Sequence, residues 1–444
     1  MANAHNHLDP EEVLFQPIAE RSSLFYRVAL ILLACSVGAF FAWLRQLTQG
    51  LSVTGLNVPV YWGMYITNFV FFIGISHAGT LISAILRLSH AEWRRPITRA
   101  AEVITVLVLF FGAGSVIMDL GRPDRVLNIL RHPNFRSPLL WDVCSISLYL
   151  TASLIYLYLP LIPDIALLRD RMPGRRWLYR RLALGWEGTA TQKRRLHLAI
   201  SVMAVLVIPI AVSVHTVVSW VFAMTVQPMW HSTIFGPYFV VGAIFSGIAS
   251  ILIAMALIRR IYHLEAYLKP IHFNHLGLLL LVMALLWFYF TFAEFLTTYY
   301  GADPNHLIVF YSKLTGRYAP LFWTMAVTCF VIPVGILARR QTRTIAGTVV
   351  ASISVNIGMW LERFVIVVPT LSQTRLPWGV AHYSPTWVEL VITVGFFATF
   401  ILLYMLFTKF FPIISIWEVR EGQELALREM EDRVRSYLPD TAPG

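Results

Sequence analysis

The sequence predicts an all-α integral membrane protein with ten transmembrane helices. Three observations carry that prediction. Of the 444 residues, 57% are hydrophobic and only 13% charged, too few to clothe soluble domains of this length. The chain divides into ten apolar runs long enough to cross a bilayer. Lys and Arg fall unevenly between alternate loops. Together these exclude a soluble enzyme and a disordered chain.

The runs lie at 24–44, 58–86, 98–119, 138–160, 196–222, 234–257, 274–300, 317–338, 345–369 and 386–411. Asp9, Glu11, Glu12 and Glu20 precede the first run, the wrong charge for the start of a signal peptide, so that run is read as a span. Lys and Arg number 26 on the side of the termini and 8 on the other, with Arg363 inside the ninth run. This places both termini in the cytoplasm. It also explains the net charge of +11 without nucleic acid. The basic stretch from Arg169 to Arg195 reads as a topology signal in contact with lipid headgroups. The expected plan is a cytoplasmic segment (1–23), helix 1 and an outer loop (24–57), a first bundle (58–222), a second bundle (234–369), helix 10 (386–411) and a cytoplasmic tail (412–444).

An internal repeat supports two bundles. Ser137-Pro138-Leu139-Leu140-Trp141 opens helix 4, and Ala319-Pro320-Leu321-Phe322-Trp323 opens helix 8, 182 residues later. Gly121 and Gly301 close helices 3 and 7, 180 residues apart. Four helices return the chain to its starting side, so helices 2–5 and 6–9 are expected as parallel repeats, flanked by helices 1 and 10.

Ionisable and polar groups inside a span are costly and mark candidate sites. Helix 2 places Tyr61, Tyr65, Asn68, Phe72, Ser76, Thr80, Ser83 and Arg87 on one face, with His77 at its edge. That face suits either a packing seam of small residues or a hydrated, quinone-lined wall. Helix 3 adds Glu102, Thr105, Gly112 and Asp119, running into Gly121-Arg122-Pro123. Helix 4 begins with Pro138, Trp141 and Asp142, where helix capping competes with a catalytic role. Asp119, Asp142 and His215 are all expected at the non-cytoplasmic end, the two acids in one pocket that includes His215 or part of helix 2. In the second bundle, Glu294 and Arg363 are expected to pair, with Glu362 beside them; carrying protons is the alternative for these groups.

The three cysteines, Cys35, Cys144 and Cys329, form no cluster, so no iron–sulfur, zinc or c-type haem site is expected. Haem b is not expected either, because His77 falls roughly 25 Å into its helix while His215 lies in the outer half of helix 5. Protonatable groups at a membrane edge without a redox centre suit quinone chemistry, with the electrons leaving to a partner on the outer face.

Four strings carry a resemblance: His77-Ala78-Gly79-Thr80-Leu81-Ile82-Ser83, Pro133-Asn134-Phe135-Arg136-Ser137-Pro138-Leu139-Leu140-Trp141-Asp142, Trp230-His231-Ser232-Thr233-Ile234-Phe235, and Asn356-Ile357-Gly358-Met359-Trp360-Leu361-Glu362-Arg363-Phe364. They resemble the NrfD/polysulfide-reductase membrane subunits, and within these the quinol-binding ActC subunits of alternative complex III. The resemblance spans nearly all of 24–420. It implies ten helices in two four-helix bundles, no bound haem, iron–sulfur cluster or metal, and a quinol site under a periplasmic iron–sulfur subunit. It further implies a multihaem cytochrome c, a homologous second membrane subunit and small membrane-anchoring subunits as partners, in a bacterial cytoplasmic membrane, with menaquinol as the ligand. The family's quinol-site Asp corresponds to Asp142. Its usual His before Gly-Arg-Pro is Asp119 here, and an acidic position on helix 5 is Val221.

The expected quinol site is thus Asp142, Asp119, His215, Arg122, Tyr65 and Asn68. The expected proton path is His77, Thr80, Ser83, Glu102, Thr105, Glu294, Glu362 and Arg363. Three readings compete with quinol oxidation: a quinone-reducing anchor of a molybdopterin or iron–sulfur enzyme, a transporter on the same repeat, and a purely structural anchor.

Overall fold

The computed structural model describes residues 10–19, 22–373 and 381–437. Residues 1–9, 20–21 and 438–444 of the expected cytoplasmic termini lie outside that set. The described residues are largely helical, and among them ten helices are long and apolar enough to cross a membrane. They are helix 1 (Ser23–Gln49), 2 (Met64–Leu88), 3 (Thr98–Asp119), 4 (Pro138–Arg171), 5 (Ala190–Ala223), 6 (Phe235–Ile261), 7 (Pro270–Gly301), 8 (Ala319–Leu337), 9 (Ile345–Ser372) and 10 (Trp387–Phe410). Each corresponds to one expected run.

Local sequence sets the helix ends. Pro138 occupies the first turn of helix 4, where its missing N–H costs nothing. Thr189 with Gln192, and Thr386 with Glu389, form capping boxes that start helices 5 and 10. Gly121 turns the chain after helix 3 at φ +65°, a conformation that a side chain would resist.

Helix 4 runs on to Arg171 instead of ending near residue 160. Its last turns leave the apolar zone and are held by an ion pair, described below. The C-terminal tail also folds: Ile416–Tyr437 is a helix that packs against helix 4.

Packing follows two groups of four. Helix 2 packs on 3, 3 on 4, 4 on 5, and 5 on the inner half of 2; helices 6 and 7, 7 and 8, 8 and 9, and 6 and 9 pack likewise. Helix 6 joins the groups by packing on helices 2 and 5, and helix 9 packs on helix 2. Helices 1 and 10 pair with each other outside both groups, Ala39 fitting against Gly395. Both termini lie at one end: Lys409 donates to the Pro17 carbonyl, and the Arg171 guanidinium covers the Phe15 ring. That end is called terminal below, and the other distal.

Helix 2 widens into a π turn over Ala78–Ile82. Such turns recur at functional sites. Gly79 sits there against the Ala101 carbonyl and the Thr105 hydroxyl of helix 3, and a Cβ at this position would overlap both.

Candidate functional site

At the distal end, the structure places the two acids in different surroundings. Asp142 lies in the second turn of helix 4 and is 8% exposed, and its Oδ1 is buried without a hydrogen-bond partner. Among the described residues it caps no N–H group, and no neighbouring charge acts on it. Asp119 ends helix 3 and also has a buried, unpartnered Oδ1. The charge that acts on it is that of Glu389, and both acids act on Tyr65. Arg122 is turned away: it is exposed and forks onto Asp124 at 3.1 Å.

Around Asp119 lies a closed network that the sequence did not disclose. The Tyr65 hydroxyl donates to Gln46 Oε1 at 2.5 Å, and Gln46 Nε2 donates to the Met118 carbonyl at 2.7 Å. Glu389 accepts from the Gly55 and Thr386 amides at 2.7 and 2.9 Å and from the Tyr383 hydroxyl at 2.5 Å. Tyr383 in turn accepts from the Met64 amide at 2.9 Å. Burial pushes the Tyr383 phenol up, and Glu389 beside it pushes it further. One turn further in, Asn68 donates to Thr393 at 2.8 Å and accepts from the Trp360 indole at 2.9 Å. Beside these bonded partners, the free oxygen of Asp119 stands out as the unpartnered carboxylate.

His215 is not among these acids. Its ring meets His77 edge-on, 4.0 Å between centroids, buried between helices 2 and 5 of the first bundle. The expected difference in depth is therefore wrong: counting from helix ends ignored how helices 2 and 5 pass each other. His77 lies between carbonyls, with Nε2 2.5 Å from Ala211 O and Nδ1 3.2 Å from Ile73 O. Both nitrogens of His215 lack partners.

From His77 a polar chain leads toward the terminal end. Tyr149 packs against the His77 ring, and its hydroxyl donates to the Ser76 carbonyl at 2.9 Å and accepts from Thr80 at 2.6 Å. Thr105 donates to the same carbonyl at 2.7 Å. Across the π turn, Ser83 donates to Glu102 at 2.6 Å and lies 3.2 Å from the Tyr156 hydroxyl. Beyond Tyr156 comes Arg87, which is paired with Glu418 of the C-terminal helix. Tyr149 and Tyr156 are two turns apart on helix 4, a spacing legible in sequence but hidden among apolar residues.

In the second bundle the expected Glu294–Arg363 pair does not form. Arg363 pairs with its neighbour Glu362 at 3.0 Å and lies over the Phe239 ring. Glu362 also accepts from the Trp287 indole at 2.7 Å. The buried guanidinium pairs with the nearest carboxylate, although the two side chains leave the helix about 100° apart. Arg363 NH1 and NH2 still lack well-directed hydrogen bonds, and its charge acts on His215 across the bundle boundary. Glu294 instead accepts from Ser232 at 2.6 Å and feels the Lys313 ammonium. Burial pushes Lys313 down to about 8, although Glu294 pulls it up. Glu294, Lys313, Thr291, Tyr238 and Glu362 line a cavity of about 30 Å³, room for about one water.

The terminal end is locked by charge. Asp164 on helix 4 pairs with Arg99 of helix 3 at 2.5 Å and accepts from the Ile416 and Trp417 amides at 3.0 Å each. Glu418 takes Arg87 and Arg94. Burial pushes Glu418 up, but the two arginines outweigh it and hold the carboxyl below its ordinary range. Among the described residues, no three His, Cys, Asp or Glu side chains gather as metal ligands would.

Comparison with known proteins agrees with the architecture. Residues 52–375 match the family described as "Polysulphide reductase, NrfD". The chain is 27% identical, over 87% of its length and 90% of the relative's, to a putative dimethyl sulfoxide reductase membrane subunit of Halobacterium salinarum. It is 23% identical to a selenate reductase subunit of Mesobacillus selenatarsenatis, over 85% of this chain and 92% of the relative. It is also 23% identical to the Hdr-like menaquinol oxidoreductase integral membrane subunit of Archaeoglobus fulgidus, over 93% and 99%. With its ten helices and a family match across most of its length, the chain belongs to the NrfD polysulphide reductase family of membrane subunits.

Proposed function

We propose that this chain is the quinol-binding membrane subunit of an oxidoreductase complex of the alternative complex III type. In this reading it lies in a bacterial cytoplasmic membrane with both termini in the cytoplasm, and menaquinol is its ligand. It oxidises quinol at the distal, periplasmic end and passes electrons to an iron–sulfur subunit docked there. A multihaem cytochrome c, a homologous second membrane subunit and small anchoring subunits complete the complex.

The observation that carries this reading is the buried, unpartnered carboxylate oxygen of Asp142 at the distal end of the first bundle. A buried carboxylate that makes no bond is costly, so its retention points to a ligand or proton it meets during turnover. Quinol supplies two protons and two electrons on oxidation. In this reading Asp142 Oδ1 accepts a hydrogen bond from a quinol hydroxyl and then its proton. Asp119, with the second free oxygen, is the candidate for the other proton, and Tyr65 and Gln46 hold its surroundings rigid.

Proton translocation belongs to the same proposal. The cavity beside Glu294 and Lys313, the Glu362–Arg363 pair, His215 against His77, and the Thr80, Thr105, Ser83 and Glu102 groups form a sequence of protonatable sites from the distal to the terminal end. His215, on which the Arg363 charge acts, is where it passes between bundles.

The names of two relatives favour the reverse flow as a second reading, in which the same site reduces quinone with electrons from an outer reductase. Supplying the purified complex with quinol and a high-potential acceptor, and separately with quinone and a low-potential donor, separates the two. Faster turnover with quinol is expected; turnover with quinone alone would reverse the assignment.

A further inference from the structure

Between helices 2, 9 and 10 the protein carries an apolar groove of about 480 Å³. Its walls are Phe71, Asn356, Ile357, Trp360, Leu361, Thr393 and Phe397. Asn356–Leu361 fall in the middle of helix 9, while Phe71 and Thr393 lie about two turns from the distal starts of helices 2 and 10, so the groove opens sideways between the distal third of the helices and their midpoint. Its size is that of a small-molecule site, and its exposed lining is wholly apolar, the polar ends of Asn356 and Thr393 being bonded to Ser250 and Asn68.

The upper end of the groove is organised. Helix 2 steps inward through Tyr65, Asn68 and Phe71, while helix 10 steps inward through Glu389, Thr393 and Phe397. Asn68 ties the two together: it donates to Thr393 and accepts from Trp360, which is itself part of the wall. One turn above this bridge lies the Tyr65–Gln46 network with the unpartnered oxygen of Asp119. From distal end to midplane, the order is a free carboxylate, an amide–indole bridge, then an aromatic and aliphatic trough.

We propose that this groove seats the polyisoprenoid tail of the quinol, with the headgroup end directed to Asp119. The inference rests on the quinol reading above and extends it from the headgroup to the tail. A molecule with one polar ring and a long unsaturated hydrocarbon chain matches that order of surfaces. A tail moving from lipid into the groove gains no hydrophobic free energy, since the bilayer is equally apolar. Seating therefore depends on shape and ring contacts, and a single bulky substitution blocks it.

The test uses the intact complex. Ile357 is 52% exposed, so Ile357→Trp fills the trough without disturbing the packed interior. The KM for a long-tailed menaquinol is expected to rise about tenfold, while the KM for a tail-less quinol stays unchanged. An equal KM shift for both, or none for either, overturns the proposal. In a second arm, a menaquinone carrying a photoreactive diazirine in its tail, and a phospholipid carrying one in its acyl chain, are irradiated with the complex. Labelling of the segments around Trp360 and Phe397 by the quinone probe, lost on adding unlabelled long-tailed quinone, supports the assignment. Labelling by the phospholipid probe that quinone does not displace makes the groove a lipid site and overturns it. Because labelling needs no turnover, the two readings fail separately. Labelled segments in a complex that oxidises no quinol would leave the groove standing and remove the function, whereas turnover without labelling removes only the groove.

Discussion

Replacing Asp142 by Asn changes one buried oxygen to an amide of nearly the same size. The structure gives two opposite expectations for stability and activity. Asp142 Oδ1 bonds to nothing, so no interaction is lost with it. An unpaired buried carboxylate carries a desolvation cost that a neutral amide escapes. The variant is therefore expected to assemble normally and to melt at or above the wild-type temperature. Activity behaves otherwise. A positioned general base contributes about 10²–10⁴ in rate, which corresponds to about 2.7–5.4 kcal/mol of barrier. Quinol oxidation by the purified variant complex is expected to fall by that factor, with the subunits still co-eluting. If Asp142 served only the helix dipole, the loss would be about 0.3–1 kcal/mol of stability and no loss of turnover. Turnover within about twofold of wild type would refute the catalytic assignment.

Asp164→Asn is the converse case: it strands Arg99 and weakens the hold on the Ile416 and Trp417 amides, so a loss of about 3–5 kcal/mol in denaturation is expected. For Glu418 the folded value is held down by Arg87 and Arg94, so its contribution is complete above the free carboxyl range and fades as pH falls through the folded value. Acid melting curves of Glu418→Gln are expected to lack that part of the wild-type slope. Lys313, pushed down by burial to about 8, loses its charge beside Glu294 as pH rises through that value. If the cavity conducts protons, the proton-to-electron ratio in proteoliposomes changes near pH 8 in wild type and not in Lys313→Met. In the same vesicles, His77→Ala, Glu294→Gln and Glu362→Gln are expected to keep quinol oxidation while lowering the ratio; unchanged ratios in all three would close this route.

The ten helices were legible because hydrophobic run length is a local property, and each run became one helix. Helix 4 outran its expectation because Asp164 finds Arg99, a partner 65 residues away that no window of sequence connects to it. The same limit explains the polar groups. The helix 2 stripe was read from spacing, and Ser76, Thr80, Ser83 and Arg87 do share the buried chain. The partners Tyr149 and Tyr156 came from another helix, and only packing reveals them. Glu389 reads in sequence as a capping-box acid, which it is, and its role beside Tyr65 and Asp119 is added by tertiary contact. Depth judged from helix ends misplaced His215, and charge complementarity alone chose Glu294 for Arg363 when Glu362 was nearer.

The central claim is that quinol is oxidised at the distal face, beside Asp142. Proteoliposomes holding the complex in a known orientation, with a pH-sensitive dye on each side in turn, valinomycin and potassium present to relieve the membrane potential, and a high-potential electron acceptor supplied, measure where protons first appear after a pulse of quinol. The account predicts early acidification on the distal side, slowed in Asp142→Asn in step with turnover. Acidification that begins on the terminal side, or proton uptake at the distal face during turnover, would contradict it.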